Sequence, residues 1–398
     1  MSATTIAELH ELDYDPYSLE QAQHPWDLFR RLRDEAPLYY NPEHDFYALS
    51  RRDDVEQALV NRAVFISGRG SSFNVLKADM EIPPGTVIFE DPPTHGIHRS
   101  LMSRMFTPKR VGALEPKVRE LVGGILDEYA GATSFDFVDD LGALVPTRVI
   151  GMLMGIPEQD QLDVRDHFDS QRTEGRQEDM STLSGAFFAD YIDWREKNPS
   201  DDVVTHLLHA EFEDADGTTR KLTREELLAY VNIVTAAGNE TTGYLIGWTG
   251  YLLGEHPDQR QILRDDPSLV TNAVEEILRI EPPALQICRY TASDIEYHGH
   301  TVPAGSIMAL LAGSANHDER HVDDPERFDV TRAPGQIFSL GFGSHYCLGQ
   351  ALARLEGRVV LDEVIKRFPD WEVDHDKAVF RHDDPDMRGW KHLPVTFN

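Results

Sequence analysis

The stretch from Thr223 to Gly254 constrains the fold more than any other part of the chain. It opens with a capping box, Thr223-Arg-Glu-Glu226, in which a hydroxyl and a carboxylate satisfy first-turn amides. The helix it predicts runs to about Gly254, about 45 Å at a rise of about 1.5 Å per residue. A helix of that length is a core strut crossing the whole molecule. Asn232, Asn239, Glu240 and the Thr241-Thr242 pair interrupt its apolar surface, which argues for a buried helix and against a membrane span.

Amphipathic spacing predicts further helices over His24–Glu35, His95–Met105, Pro116–Tyr129, Leu144–Met154, Leu183–Glu196, Leu269–Ile280 and Leu348–Arg367. Strand signals are short: Leu38–Tyr40, Phe46–Leu49, Glu296–Tyr297, Met308–Leu311 and Val395–Phe397. The expected fold is therefore mainly α with small β-sheets. No repeat, low-complexity tract or Gly/Ser linker divides the chain, so residues 1–398 are read as a single domain.

A formal charge of −31 argues against nucleic acid or an anionic membrane as partner, because an acidic field repels phosphate. The segment Met1–Tyr14 has no apolar run that would serve as a signal or anchor, and the expected location is the cytoplasm. Only two cysteines are present, Cys288 and Cys347, too few for a disulfide framework. Which of them carries chemistry is then the question.

Cys347 lies in Leu340-Gly-Phe-Gly-Ser-His-Tyr-Cys-Leu-Gly349, just before a helix. The glycines permit tight turns and close approach to a flat ligand, and the start of a helix favours a thiolate. The plain alternative is a turn holding an inert thiol. The spacing of Gly341, Gly343, His345, Cys347 and Gly349 resembles the haem-binding signature of the cytochrome P450 family, F-G-x-G-x-H-x-C-x-G. Leu340 stands where that signature has Phe, and the neighbouring Phe342 is a candidate for the missing aromatic surface.

The resemblance extends to three other places. Glu276-Ile-Leu-Arg279 is similar to the family's E-x-x-R pair, with Arg327 of Pro325-Glu-Arg-Phe328 at the expected place of a second arginine. These three imply a structural charge network. Ala237-Gly-Asn-Glu-Thr-Thr242 is similar to the oxygen-activation motif, which makes Thr241 the hydrogen-bond donor to dioxygen and Glu240 a proton relay. Gly238 is the expected site of a local kink that makes room for a ligand. A packing notch between crossed helices is the structural alternative. His95, Arg99, Arg289 and His345 match positions used for the haem propionates.

The resemblance as a whole implies haem b, a P450 fold with the long helix crossing it, and hydroxylation of a small, largely apolar substrate with O2. The two electrons must come from outside, since neither an NAD/FAD fingerprint nor cluster-binding cysteines are present. A ferredoxin-type donor with its reductase is implied, acting on a monomer. Arg99, Arg104, Lys109, Arg110, Arg354 and Arg358 suggest a basic patch for such a donor, the alternative being scattered solvated charge. Pocket candidates carried over by position are Phe73, Val75, Ile233, Ala236, Ala237, Leu285, Ile287 and Met387, and Arg69 is a candidate for a substrate carboxylate. Three rival readings stand beside this one: a peroxide-driven haem-thiolate peroxygenase, a haem protein that binds gas without catalysis, and a cysteine hydrolase without haem.

Overall fold

The computed structural model describes residues 12–164, 166, 185–381 and 384–397. The strut is a single helix, Arg224–Glu255, with the capping box on Thr223 formed in both directions. The helical hydrogen bonding runs through Gly238 without a break. The absence of a side chain at Gly238 serves packing: a Cβ there would lie 3.1 Å from Ile150 Cδ1, on the helix Leu144–Met154 that crosses beside it. Further along, Gly250 sits directly against the Phe137 ring, where a Cβ would approach Cγ to 2.4 Å. Small residues thus let the strut lie in the middle of the largest core cluster.

Other helices fall close to the sequence expectation: Trp26–Glu35, Thr94–Ser103, Glu115–Asp127, Leu144–Met154, Val270–Ile280 and Gln350–Arg367. The helix expected from Leu183 is Ala189–Lys197 after a 3-10 turn, and its first two expected residues lie outside the described set. Val270–Ile280 and Gln350–Arg367 both pack on the strut. Glycine permits this closeness too, for Gly357 faces Leu245 and Val274.

The main sheet has five strands, labelled in chain order β1 (Leu38–Asn41), β2 (Phe46–Leu49), β3 (Phe65–Ile66), β4 (Ile287–Thr291) and β5 (Ile307–Leu310). Their spatial order is β1-β2-β5-β4-β3, with β2 and β5 parallel and the remaining pairs antiparallel. β3 and β4 were not among the expected strands. β3 has only two residues, and β4 mixes Arg289 with apolar neighbours because one of its faces lines a cavity. A smaller three-stranded sheet joins Ser134–Asp136, Glu372–Val373 and Pro394–Thr396. No helix among the described residues is long and apolar enough to cross a membrane.

Candidate active site

A cavity of about 340 Å³ lies between the strut and the turn that precedes Gln350–Arg367. Cys347 is on one wall and Thr241 on another. The turn is held by the Cys347 amide, which donates to Leu340 O at 2.7 Å, and Gly341 adopts φ +72°, a conformation costly for any residue with a Cβ. Gly341 and Gly349 both face the cavity. Phe342 lines it as well and packs edge-on against buried Phe338, ring centroids 5.8 Å apart, so aromatic surface is present although position 340 is Leu.

Burial raises the Cys347 thiol above its ordinary pKa, while the Gly349 amide, Arg99 and Arg354 pull it back. The net direction is upward. A bound metal ion would stabilise the thiolate form that the start of a helix also favours.

On the strut, Thr241 Oγ1 donates to Ala237 O at 2.8 Å, a back-bond that parks the hydroxyl within reach of the cavity it lines. Glu240 is not part of the cavity wall, and its Oε1 accepts from Tyr244 Oη at 2.9 Å. Ala237 and Gly238 do line the cavity and keep it open above the cysteine side.

The four residues expected to meet an anionic group converge. His95 and His345 stack at 3.9 Å between centroids, and both rings line the cavity with Arg99 and Arg289. His95 is buried and its Nε2 has no hydrogen-bond partner. His345 shares a hydrogen bond with Ser67 Oγ, and burial together with His95, Arg289 and Arg99 pushes its pKa down to about 3. Arg289 is buried and donates to Cys288 O, with no ion pair among the described residues; burial lowers its pKa to about 10. Arg99 donates to Tyr346 O. Buried cations and orphaned donors of this kind call for an anion.

The charge network forms with a different arginine. Glu276 accepts from Arg279 at 2.7 and 2.8 Å and from Arg332 Nε at 3.0 Å. Arg327, expected in this place, is exposed and pairs with Asp329; it contributes only its carbonyl, which accepts from Arg279 and Arg332. The chain turns through Asp329–Arg332 after Arg327 and brings the later arginine inward. A second buried pair, Glu281 with Arg388, gave no motif in the sequence.

Of the expected pocket residues, Ile233, Ala237 and Ile287 line the cavity. Phe73 does not: it starts a short helix, Phe73–Ala78, and is buried against Phe46, with Val75 packed over Gly70 on the same turn. Ser71, Val87 and Ile88 form the wall there instead. Ala236 points away from the cavity into the core around the strut. Leu285 and Met387 flank a separate small void beside Tyr14 and Asp386. Pro283, Ala284, Ile287 and Arg289 face the cavity and Leu285 does not, Ala284 making an isolated bridge to Met387 just before the strand begins at Ile287. Arg69 is paired with Asp79 over the Tyr290 ring and is absent from the cavity wall. The expected basic patch is diluted: Arg354 pairs with Glu275, Arg358 with Glu115 and Arg110 with Asp201, leaving Arg104 and Lys109 exposed without a described ion pair.

Residues 159–395 match the protein-family model described as Cytochrome P450. The chain belongs to the cytochrome P450 family. The P450 is 35 % identical to the putative cytochrome P450 123 of Mycobacterium tuberculosis over 396 residues, 97 % of each chain. It is also 35 % identical to the vitamin D(3) 25-hydroxylase of Pseudonocardia autotrophica, covering 99 % of this chain and 98 % of that one. Among solved structures, CYP109Q5 from Chondromyces apiculatus superposes with a TM-score of 0.87 at 31 % identity, covering 97 % of this chain and 98 % of that one. CYP109E1 from Bacillus megaterium in complex with testosterone gives 0.83 at 28 % identity, covering 94 % and 99 %. This P450 is a monooxygenase, and its family implies a haem-thiolate cofactor. The cavity fits one: a glycine-lined thiol on one side, apolar walls, and the orphaned His95 Nε2 beside the unpaired Arg289 at the edge.

Proposed function

We propose that this P450 binds haem b through Cys347 and hydroxylates a small, neutral, largely apolar substrate, taking two electrons from a separate ferredoxin-type donor with its reductase. Residues 1–398 would act as one domain, as a monomer in the cytoplasm. The observation that carries the reading is the shared cavity, with Cys347 on one wall, Thr241 on another, and His95, Arg99, Arg289 and His345 gathered at one margin.

Haem, when bound, supplies the activation of O2. The chain supplies the rest. Arg289 and Arg99 would neutralise the propionates and the two histidines would donate hydrogen bonds to them, and the Gly341 and Gly349 turns let the backbone come close to the ring. Thr241 Oγ, released from Ala237 O, donates a hydrogen bond toward the oxygen side, and Glu240 passes protons along the strut. Ser71, Val87, Ile88, Ile233 and Ile287 exclude water and hold the substrate by area. A vitamin D(3) hydroxylase and a testosterone complex among similar proteins support a neutral polycyclic substrate class.

Reduction of the purified protein under carbon monoxide tests this. A strongly red-shifted Soret band is the expected result; a band typical of histidine ligation, or none, overturns the assignment.

A further inference from the structure

Asp386 lies in the loop before the strand Gly389–His392 and is buried. Its carboxyl gathers parts of the chain that are far apart in sequence. Oδ2 accepts from the Phe73 amide at 2.8 Å, and Oδ1 accepts from Gln286 Nε2 at 3.4 Å and from the Cys288 thiol at 3.5 Å. Gln286 is fixed in turn, donating to Pro385 O at 2.7 Å and accepting from Tyr14 Oη at 2.6 Å. Each of these parts turns its other side to the cavity. Gln286 and Cys288 alternate with Ile287 and Arg289, which line it. Ser71, two residues before Phe73, lines it as well, and its carbonyl accepts from the Cys288 amide at 3.0 Å. On the far side of Asp386, Met387 bridges to Ala284 and the Arg388 amide donates to Pro283 O, and both Pro283 and Ala284 belong to the cavity wall.

An apolar wall selects its ligand by where its atoms stand, and a misplacement on the order of 1 Å is enough to cost rate. We infer that Asp386 is a positioning residue for the substrate: from behind the wall it holds Ser71, Ile287, Pro283 and Ala284 in one arrangement, and so sets the shape of the pocket without touching the ligand. The inference rests on the haem-thiolate reading above, in which this cavity takes the substrate. The charge around Asp386 makes the arrangement conditional. The N-terminal segment presents Tyr14, Asp15 and Tyr17 to it, the helix Phe73–Ala78 presents Lys77, β4 presents Cys288, and its own loop presents Asp384 and Arg388. The two cations are engaged elsewhere, Lys77 over the Tyr17 ring and Arg388 with Glu281, and Asp386 has no ion pair among the described residues. Burial, and then Asp384, raise its pKa to about 7, against the pull of the Phe73 amide. Once ionised it is a buried charge without a counter-ion, beside a void of about 10 Å³ with room for about one water. Water drawn in there loosens the wall as pH rises.

Spectral titration of the protein with its haem tests this, with 4-phenylimidazole as the probe and imidazole as its control. Both bind the iron, and only the first carries a ring that reaches the wall. Each affinity is read against Asp386→Asn at the same pH, so that ionisation of the ligands themselves cancels. Between pH 6 and pH 8 the parent is expected to lose about fivefold in 4-phenylimidazole affinity and nothing in imidazole affinity, a change the size of one hydrogen bond. Asp386→Ala, which has no acceptor for Phe73, is expected to bind 4-phenylimidazole weakly at both pH values, and Asp386→Asn tightly at both. Hydrogen exchange of the Phe73–Ala78 amides is the second measurement. After correction for the intrinsic pH dependence of exchange, their protection is expected to fall from pH 6 to pH 8 in the parent and to stay constant in Asp386→Asn. Affinities that follow pH alike in the parent and the Asn variant, with exchange also alike, overturn the inference and leave Asp386 a packing role only. Loss of the red-shifted carbon monoxide band in the unsubstituted protein overturns the haem-thiolate reading itself. If Asp386→Ala does not fold, Asp386→Asn and the exchange measurement still decide.

Discussion

Arg332 Nε lies 3.0 Å from Glu276 Oε1, closing a buried ion triad that Arg279 completes from the same helix as the glutamate. Glu276 is almost fully buried, so each arginine compensates a charge that water cannot reach. The triad also grips the chain between Asp323 and Asp329 by its carbonyls, the segment that leads on to the cysteine turn.

Arg332→Ala is therefore expected to destabilise the P450 by about 3–5 kcal/mol and to lower its haem content, because it leaves a buried carboxylate short of a partner. Arg327→Ala, with its side chain exposed, is expected to change stability by about 0.5 kcal/mol or less. Chemical denaturation of the two variants side by side measures the difference. Equal losses would mean that the triad closes through Arg327.

Arg289→Met should act in opposite directions with and without haem. Its guanidinium is buried with no carboxylate to meet it, so the apoprotein is expected to gain stability when the charge is removed. The same change removes a propionate partner, and haem is expected to transfer to apomyoglobin at least about tenfold faster, the equivalent of one lost charged hydrogen bond. Melting of the apoprotein and transfer kinetics read the two effects separately.

The buried pair Glu281 and Arg388 should be as sensitive as the triad. Arg388 stacks over Trp26 and Trp248, and its backbone amide donates to Pro283 O, so the pair ties the C-terminal loop to the cavity wall at Pro283. Glu281→Ala is expected to cost about 3 kcal/mol or more, and Glu281→Ala with Arg388→Met together less than the single change. A double-mutant cycle on unfolding free energies checks it.

Asp386 gives the fold a pH dependence. Burial, with Asp384 adding repulsion, raises its pKa to about 7, although it accepts from the Phe73 amide at 2.8 Å. The folded state thus holds its proton more tightly than the unfolded chain does. Its favourable contribution is complete below the ordinary aspartate range and is lost as pH rises toward and through 7. Asp386→Asn keeps an acceptor for Phe73 and removes the titration, so the Tm of the variant should exceed that of the parent at pH 8 and match or fall below it at pH 4. A pH series of melting curves decides.

Sequence alone determined the elements whose signals are local. The strut announced itself through its capping box and length, and Leu144–Met154 and Phe46–Leu49 through their periodicity, because both are set by neighbours along the chain. The cysteine turn was legible for the same reason: cysteine, glycines and helix start lie within about ten residues. Tertiary structure alone decided which arginine reaches Glu276, that Phe73 belongs to the core, and that Leu285 and Met387 face another void. Each of these depends on where chain segments distant in sequence come to rest. Helical and strand periods say which residues share a face; only packing says what that face meets.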